Sequence, residues 1–311
     1  MLELKSVLED YIIGELLTPN DNKNSDCEVF EATQKKAKKS VILKVTRHAG
    51  ECRELDILKV ISHENIVDLL ESFETRNFDD VQKIRNAMVF ERYPRDLQSL
   101  YEDEALESNR IQKFIKQLLT GLQYLHGKNI IHRDIKPENL MVDANDCIRI
   151  GDFGLARYAD PNVNMTPETV SLWYRPIEIL LEAPNHSTAV DIWSAGCVLA
   201  EMYRRYPLFR GEGQIQMLNK IISVLGKPTV ELWPTVNELP VMRIITLDGS
   251  TDTRFEEAIP LASEISLDLI QSMMRFDPTQ RPTASKLLQH KYFESEDTSP
   301  RNASNNDPEF P

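Results

Sequence analysis

The chain has 311 residues, enough for one large domain or two modest ones, and its 41% hydrophobic and 27% charged residues are ordinary for a soluble globular protein. A formal net charge of −13 argues against a nucleic-acid-binding protein, whose footprint would be basic. Cys27, Cys52, Cys147 and Cys197 are scattered without ligand-like spacing and read as free thiols in a reducing compartment.

The opening MLELKSVLED carries charges inside its apolar run and shows no cleavage-site pattern. No stretch approaches 18 uninterrupted apolar residues, so the expectation is an intracellular protein, nuclear, cytoplasmic or both, with no membrane partner. Short β-like runs follow at residues 11–14, 27–33, 41–45 and 88–91. Between the last two, residues 52–61 bring Leu55, Leu58 and Val60 or Ile61 to one side at helical spacing. The lysines at 35, 36, 38 and 39 read as a solvated turn. From 111 to 125, Ile111, Phe114, Ile115, Leu118, Leu119, Leu122 and Leu125 predict a buried helix. Residues 140–142 read as a strand, 143–146 as a turn and 147–150 as the returning strand. From 294 to 311 the chain is polar and poor in apolar residues, which predicts a disordered tail.

Two loops flank that hairpin. The first, His132-Arg133-Asp134-Ile135-Lys136-Pro137-Glu138-Asn139, fits the pattern H-R-D-L-x-x-x-N with Ile for Leu; the second is Asp152-Phe153-Gly154. Phosphoryl transfer asks little covalent help of a protein. It needs an in-line hydroxyl, cations on the phosphate oxygens and a carboxylate to orient or receive the hydroxyl proton. Asp134 suits the proton, Asn139 and Asp152 suit two magnesium ions, and Lys136 suits the transferred phosphate. The bland reading, a hairpin with ordinary turn carboxylates, holds for Asp143 and Asp146. It fails for the eight motif residues, a set expected by chance roughly once in 10¹⁰ trials. The sequence resembles the eukaryotic protein kinases, and Lys136-Pro137-Glu138-Asn139 resembles their serine/threonine branch.

That resemblance implies an α+β bilobal fold over residues 8–293: a small β-rich lobe with one helix (8–91), a hinge (91–96) and a larger, mostly helical lobe (97–293). It implies ATP and Mg2+ as cofactors and protein substrates. Lys44, in Val41-Ile42-Leu43-Lys44, matches the strand lysine on the ATP phosphates, and Glu54 its helical partner. Phe90 matches the residue guarding the back of the adenine site, and the backbones of Glu91 and Tyr93 match its hydrogen-bonding edge. TPETVSLWYRPIE (166–178) resembles the activation segment of the cyclin-dependent kinases. Thr166 takes the phosphorylated position, Ser171 the hydroxyl bracing Asp134 and Lys136, and Arg175 a residue favouring proline after the target. Glu178 pairs by this match with Arg281, and Asp191 carries the catalytic-loop backbone. Arg53, Arg133 and Arg157 fall where the family gathers a phosphate pocket.

The match is weakest at residues 15–28. Kinases carry G-x-G-x-x-G-x-V there; this chain keeps Gly14 and the closing Val29, with a polar insertion between. That loss is the argument for a pseudokinase scaffold instead of an enzyme. Nine residues, 45–53, separate Lys44 from Glu54, with HAGECRE in place of a long PSTAIRE-like cyclin-docking segment. A cyclin partner therefore stands as one alternative, and a single-subunit kinase that activates cyclin-dependent kinases as another.

Overall fold

A computed structural model of the chain describes residues 9–18, 27–46, 52–74, 86–159, 171–184 and 186–294. Its internal contacts divide the chain into two units, Met1–Pro94 and Arg95–Pro311.

The first unit holds an antiparallel sheet in the order β1-β2-β3-β5-β4: β1 (Tyr11–Leu16), β2 (Cys27–Gln34), β3 (Lys39–Thr46), β4 (Leu69–Glu74) and β5 (Asn86–Glu91). Alternation explains its core. Val41, Leu43 and Val45 point to one face of β3 and pack with Tyr11, Ala32, Ala87 and Val89, which puts Lys44 on the other face. Helix α1 (Arg53–Leu58) buries Leu55, Ile57 and Leu58 together with Glu54.

Several elements differ from the sequence reading, with β1, β3 and β5 each two or three residues longer than read. β4 was not foreseen: LLESFE lacks a clean alternation, and its register shifts between Leu69 and Glu71. Helix α1 ends at Leu58, not at 61, and Val60 is exposed. The long helix runs further in both directions, and the returning strand of the hairpin begins at Ile148 because the Cys147 amide donates to Asp143 Oδ1 at 3.0 Å.

The second unit is mostly helical. Its short strands are β6 (Arg95–Asp96), β7 (Ile130–Ile131), β8 (Leu140–Val142), β9 (Ile148–Ile150) and β10 (Arg157–Tyr158). β8 and β9 form the expected hairpin, β6 adds to β8, and β7 pairs with β10. The helices are α2 (Leu97–Asp103), α3 (Ser108–Gly127), α4 (Ile177–Leu180), α5 (Ala189–Arg204), α6 (Gln214–Leu225), α7 (Phe255–Ala258), α8 (Glu264–Met273) and α9 (Ala284–Leu287). The seven apolar residues predicted for α3 are all buried along one face. α5 is buried from Ala189 to Tyr203, so its polar residues must find partners inside the protein. No helix of the described residues is long and apolar enough to cross a membrane.

Candidate active site

The loop after β7 is held from beneath. Arg133 has φ of 70°, a left-handed conformation that turns the amides of His132 and Arg133 onto the Asp191 carboxylate at 2.9 and 2.8 Å. Asp191 lies in the first turn of α5 and is buried. Burial opposes its charge, yet His126 at 2.9 Å, His132 and the Arg133 amide hold it below the ordinary carboxylate range. His132 also joins the two motif loops: its Nε2 meets the Gly151 carbonyl at 2.9 Å, and its ring meets the Phe153 edge at 4.9 Å. The Gly151 amide donates back to the Asn139 carbonyl at 2.8 Å.

Upon this frame four predicted residues converge. Asp134 Oδ1 accepts from the Ser171 hydroxyl at 2.8 Å and from its amide at 3.2 Å. Asp134 Oδ2 accepts from Asn139 Nδ2 at 2.8 Å and faces Lys136 Nζ at 3.3 Å. Lys136 also donates to the Ser171 hydroxyl at 3.1 Å. A carboxylate fixed by this many donors has its orientation set before a substrate arrives. Asn139 Nδ2 donates to both the carbonyl and the carboxylate of Asp134, so its acceptor end is the amide oxygen. Asp152 is exposed, with φ of 53° and a carboxylate accepting from the Gly154 amide at 3.4 Å. Magnesium takes one or two carboxylate or amide oxygens and completes its shell from water and phosphate, so this donor set fits it.

In the first unit, Lys44 Nζ meets Glu54 Oε1 at 2.7 Å, with 13% and 7% of the two side chains exposed. Lys44 lies opposite Val29 on β2 and Met88 on β5. Phe90 is buried on β5, Tyr93 is half-buried, and the Glu91 carboxylate engages Lys39 at 2.8 Å. Gly14 sits in β1 at the register shift between Ile13 and Leu16, where an added Cβ would stand 3.2 Å from the Glu31 carbonyl oxygen. That crowding accounts for the glycine locally.

A family model described as Protein kinase domain matches residues 25–293. The chain belongs to the protein kinase family. It is 37% identical over 247 residues to cyclin-dependent kinase 2 of Caenorhabditis elegans, an alignment covering 78% of this chain and 65% of that one. It is 38% identical over 246 residues to cyclin-dependent kinase 7 of Dictyostelium discoideum, covering 78% and 66% respectively. The chain thus spans about two thirds of the length of these relatives. The kinase resemblance and the α+β fold read from the sequence are both borne out.

Among the basic residues of this kinase chain, Arg133 is 2% exposed in the loop after β7, and Arg157 is half-buried in β10, with Nη1 on the Ala156 carbonyl at 2.7 Å. Arg53 is exposed at the first position of α1, in the other unit. Thr166 lies outside the described residues. Glu178 and Arg281 meet in two contacts of 2.5 and 2.6 Å, fully buried.

Sequence reasoning missed Glu201. On α5, its two oxygens accept from the hydroxyls of Tyr101 at 2.6 Å and Tyr174 at 2.8 Å, and all three residues are buried. Burial pushes the Glu201 carboxyl up to about 7, with the two hydroxyls pulling the other way. The available signal was one carboxylate inside the otherwise apolar run CVLAEMY.

Proposed function

We propose that this chain is an ATP- and Mg2+-dependent serine/threonine protein kinase of the cyclin-dependent type, with residues 8–293 as its catalytic domain. The observation that carries the reading is the convergence of Ser171, Asn139 and Lys136 on the Asp134 carboxylate. Asp134 orients the substrate hydroxyl and takes its proton, while Lys136 meets the negative charge on the transferred phosphoryl group. Asn139 and Asp152 would hold magnesium, which supplies the neutralisation of the β- and γ-phosphate oxygens when bound. Lys44, oriented by Glu54, serves the α- and β-phosphates, and the segment from Phe90 to Tyr93 serves the adenine. Val29 and Gly14 border the nucleotide.

The activation segment carries regulation in this reading. Phosphorylation of Thr166 supplies a dianion for Arg133 and Arg157, and Arg175 favours substrates with proline after the target. The deciding experiment compares phosphate transfer from labelled ATP by the wild type and by Asp134→Asn. An enzyme loses transfer by about 1,000-fold or more. Equal background in both proteins would make the chain a scaffold and end the reading.

A second reading, a single-subunit kinase acting on the activation-loop threonine of other cyclin-dependent kinases, is favoured by the nine residues between Lys44 and Glu54. Purification from its own cells separates the two. A cyclin present in equal amount supports the first reading, and an active lone chain without proline preference supports the second.

A further inference from the structure

Arg210 is an exposed arginine that the catalytic reading does not use. It lies in the loop between α5 and α6, and both of its chain neighbours are anchored. Phe209 is buried and stacks on Trp193, with ring centroids 6.2 Å apart. The Gly211 carbonyl accepts from the Trp173 indole N–H at 3.0 Å. A Cβ added at Gly211 would stand 3.1 Å from Gln216 Cβ and 3.2 Å from the Met217 amide, so the backbone there lies tight against α6. The Arg210 guanidinium itself lies over the Trp173 ring, 5.2 Å from its centroid. A planar cation laid on an aromatic face keeps its N–H groups at its edges, free for a partner in its own plane. Among the described residues no carboxylate lies within ion-pair distance of it, in a chain with 49 acidic and 36 basic residues. Where carboxylates are in such surplus, an arginine held in place without one is suited to an anion from outside.

Trp173 belongs to the segment that braces Asp134. Ser171, two residues earlier, donates its hydroxyl to Asp134 Oδ1 at 2.8 Å. From Asp134 through Ser171 and Trp173 to the Arg210 guanidinium the path is at most about 22 Å, which an extended peptide covers in about six residues. We propose that Arg210 is a specificity-determining residue of this kinase, binding an oxyanion that the peptide substrate carries within about six residues of its target hydroxyl. This rests on the kinase reading, which puts the target hydroxyl at Asp134. The oxyanion is an Asp or Glu carboxylate or the phosphate of a phosphoserine, each of which a guanidinium fork engages through two parallel hydrogen bonds. Trp173 is the platform: it holds the cation before the peptide arrives, so less side-chain freedom is lost on binding.

The test uses the full-length chain and peptides with one threonine target followed by proline. At each of the six other positions before the target and the five after the proline, one at a time, the peptides carry Glu, phosphoserine, Gln or Lys. Binding is followed by fluorescence anisotropy and phosphate transfer as kcat/KM, in wild type, Arg210→Gln and Arg210→Glu. The ratio of the Glu peptide to the Gln peptide is taken within each protein, so that losses common to all peptides cancel. The expected result, at one position or two adjacent ones, is a ratio about fivefold higher in wild type than in Arg210→Gln, as for an exposed bidentate pair. It should fall with added salt. Arg210→Glu should reverse the preference and favour the Lys peptide, which an arginine that merely covers Trp173 would not do.

An effect with Glu and phosphoserine alike assigns the site to acidic substrates. An effect with phosphoserine only assigns it to substrates already phosphorylated nearby. A wild type without preference, or the same preference in all three proteins, overturns the proposal. Binding decides this inference, and transfer decides the reading beneath it. A wild type that binds acidic peptides through Arg210 yet transfers phosphate to none ends the kinase reading and leaves Arg210 as a peptide-binding residue. One that transfers phosphate to all the peptides alike leaves the kinase reading standing and ends the inference.

Discussion

Two buried ion pairs, one in each unit, are built in opposite ways. Glu178 and Arg281 in the second unit are dry, with 2% and 0% of their side chains exposed, and meet through two parallel contacts. The remaining guanidinium donors reach the carbonyls of Arg275, Ala189 and Phe276, and Arg281 stacks over Trp193 at 4.9 Å. Lys44 and Glu54 in the first unit are wetter and join a rotatable ammonium to a carboxylate on a helix of six residues. A planar fork with all its hydrogens assigned has one geometry; a point charge on a flexible stem has many. The first pair fixes architecture, and the second is held by fewer contacts and lies nearer to solvent.

The largest effect should come from breaking the dry pair. Arg281→Ala leaves Glu178 buried without its cation and empties the space under Trp193, which should cost about 3–5 kcal/mol in denaturant unfolding. A loss below about 1 kcal/mol would mean that the site rehydrates, and the contrast between the pairs would fail. Lys44→Met should behave in the reverse manner. Catalytic efficiency is expected to fall by about 100-fold or more, as for removal of one preorganised charge at a phosphoryl group, with a smaller loss of stability than in Arg281→Ala because the pair is less completely buried. A variant that unfolds like Arg281→Ala would show that Lys44 is structural.

The same contrast explains what could be read from the sequence. The loop 132–139 was legible because, in the proposed reading, each of its residues has a separate chemical task, so identity and spacing are constrained together. Ser171, 35 residues beyond Lys136, was legible only by resemblance; the 3.1 Å contact between them depends on how the segment returns to the loop. Glu201 was not legible, because the partners that give it meaning lie far off in sequence. Tyr101 is 100 residues from Glu201, and only the fold brings their atoms within 2.6 Å. β4 escaped for a local reason. Its register shift breaks the alternation that marks a half-buried strand.

Glu201 supplies a third case, a buried carboxylate that meets hydroxyls instead of a cation's N–H groups. Its folded value near 7 lies above the ordinary 4.5. The folded state therefore binds more protons than the unfolded state between those values, and stability falls as pH rises from 4.5 through 7. The slope should approach about 1.4 kcal/mol per pH unit before levelling above 7. The groups around it oppose one another: Tyr101, Tyr174 and Arg204 favour its charge, and Glu138 disfavours it. Glu201→Gln removes the titrating group, so its stability should decline less than wild type between pH 5 and 8. Parallel unfolding curves for the two proteins over that range would show that Glu201 stays charged.

The smallest expected effect concerns the edge of the sheet beyond Lys44. Gly14 is explained by a bulge and by the Glu31 carbonyl 3.2 Å from where its Cβ would be, so its presence gives no sign of phosphate contact. The Leu17 amide donates to the Val29 carbonyl at 2.8 Å, and the Val29 amide is within 3.4 Å of the Thr18 hydroxyl, so β1 and β2 stay joined beyond the end of β1. The insertion at 19–26 lies outside the described residues, and its sequence lacks the glycines that let backbone amides approach phosphates. Such a cover acts mainly on bound ATP, in the ground state and the transition state alike, so losing it raises KM and spares kcat. Replacing residues 15–28 by a regular glycine-rich loop should then lower the KM for ATP by about tenfold or less, with kcat unchanged. A lower kcat at constant KM would give the polar insertion a part in turnover. In that case the first unit, like the second, would hold a segment whose sequence is fixed by the chemistry and not by the fold.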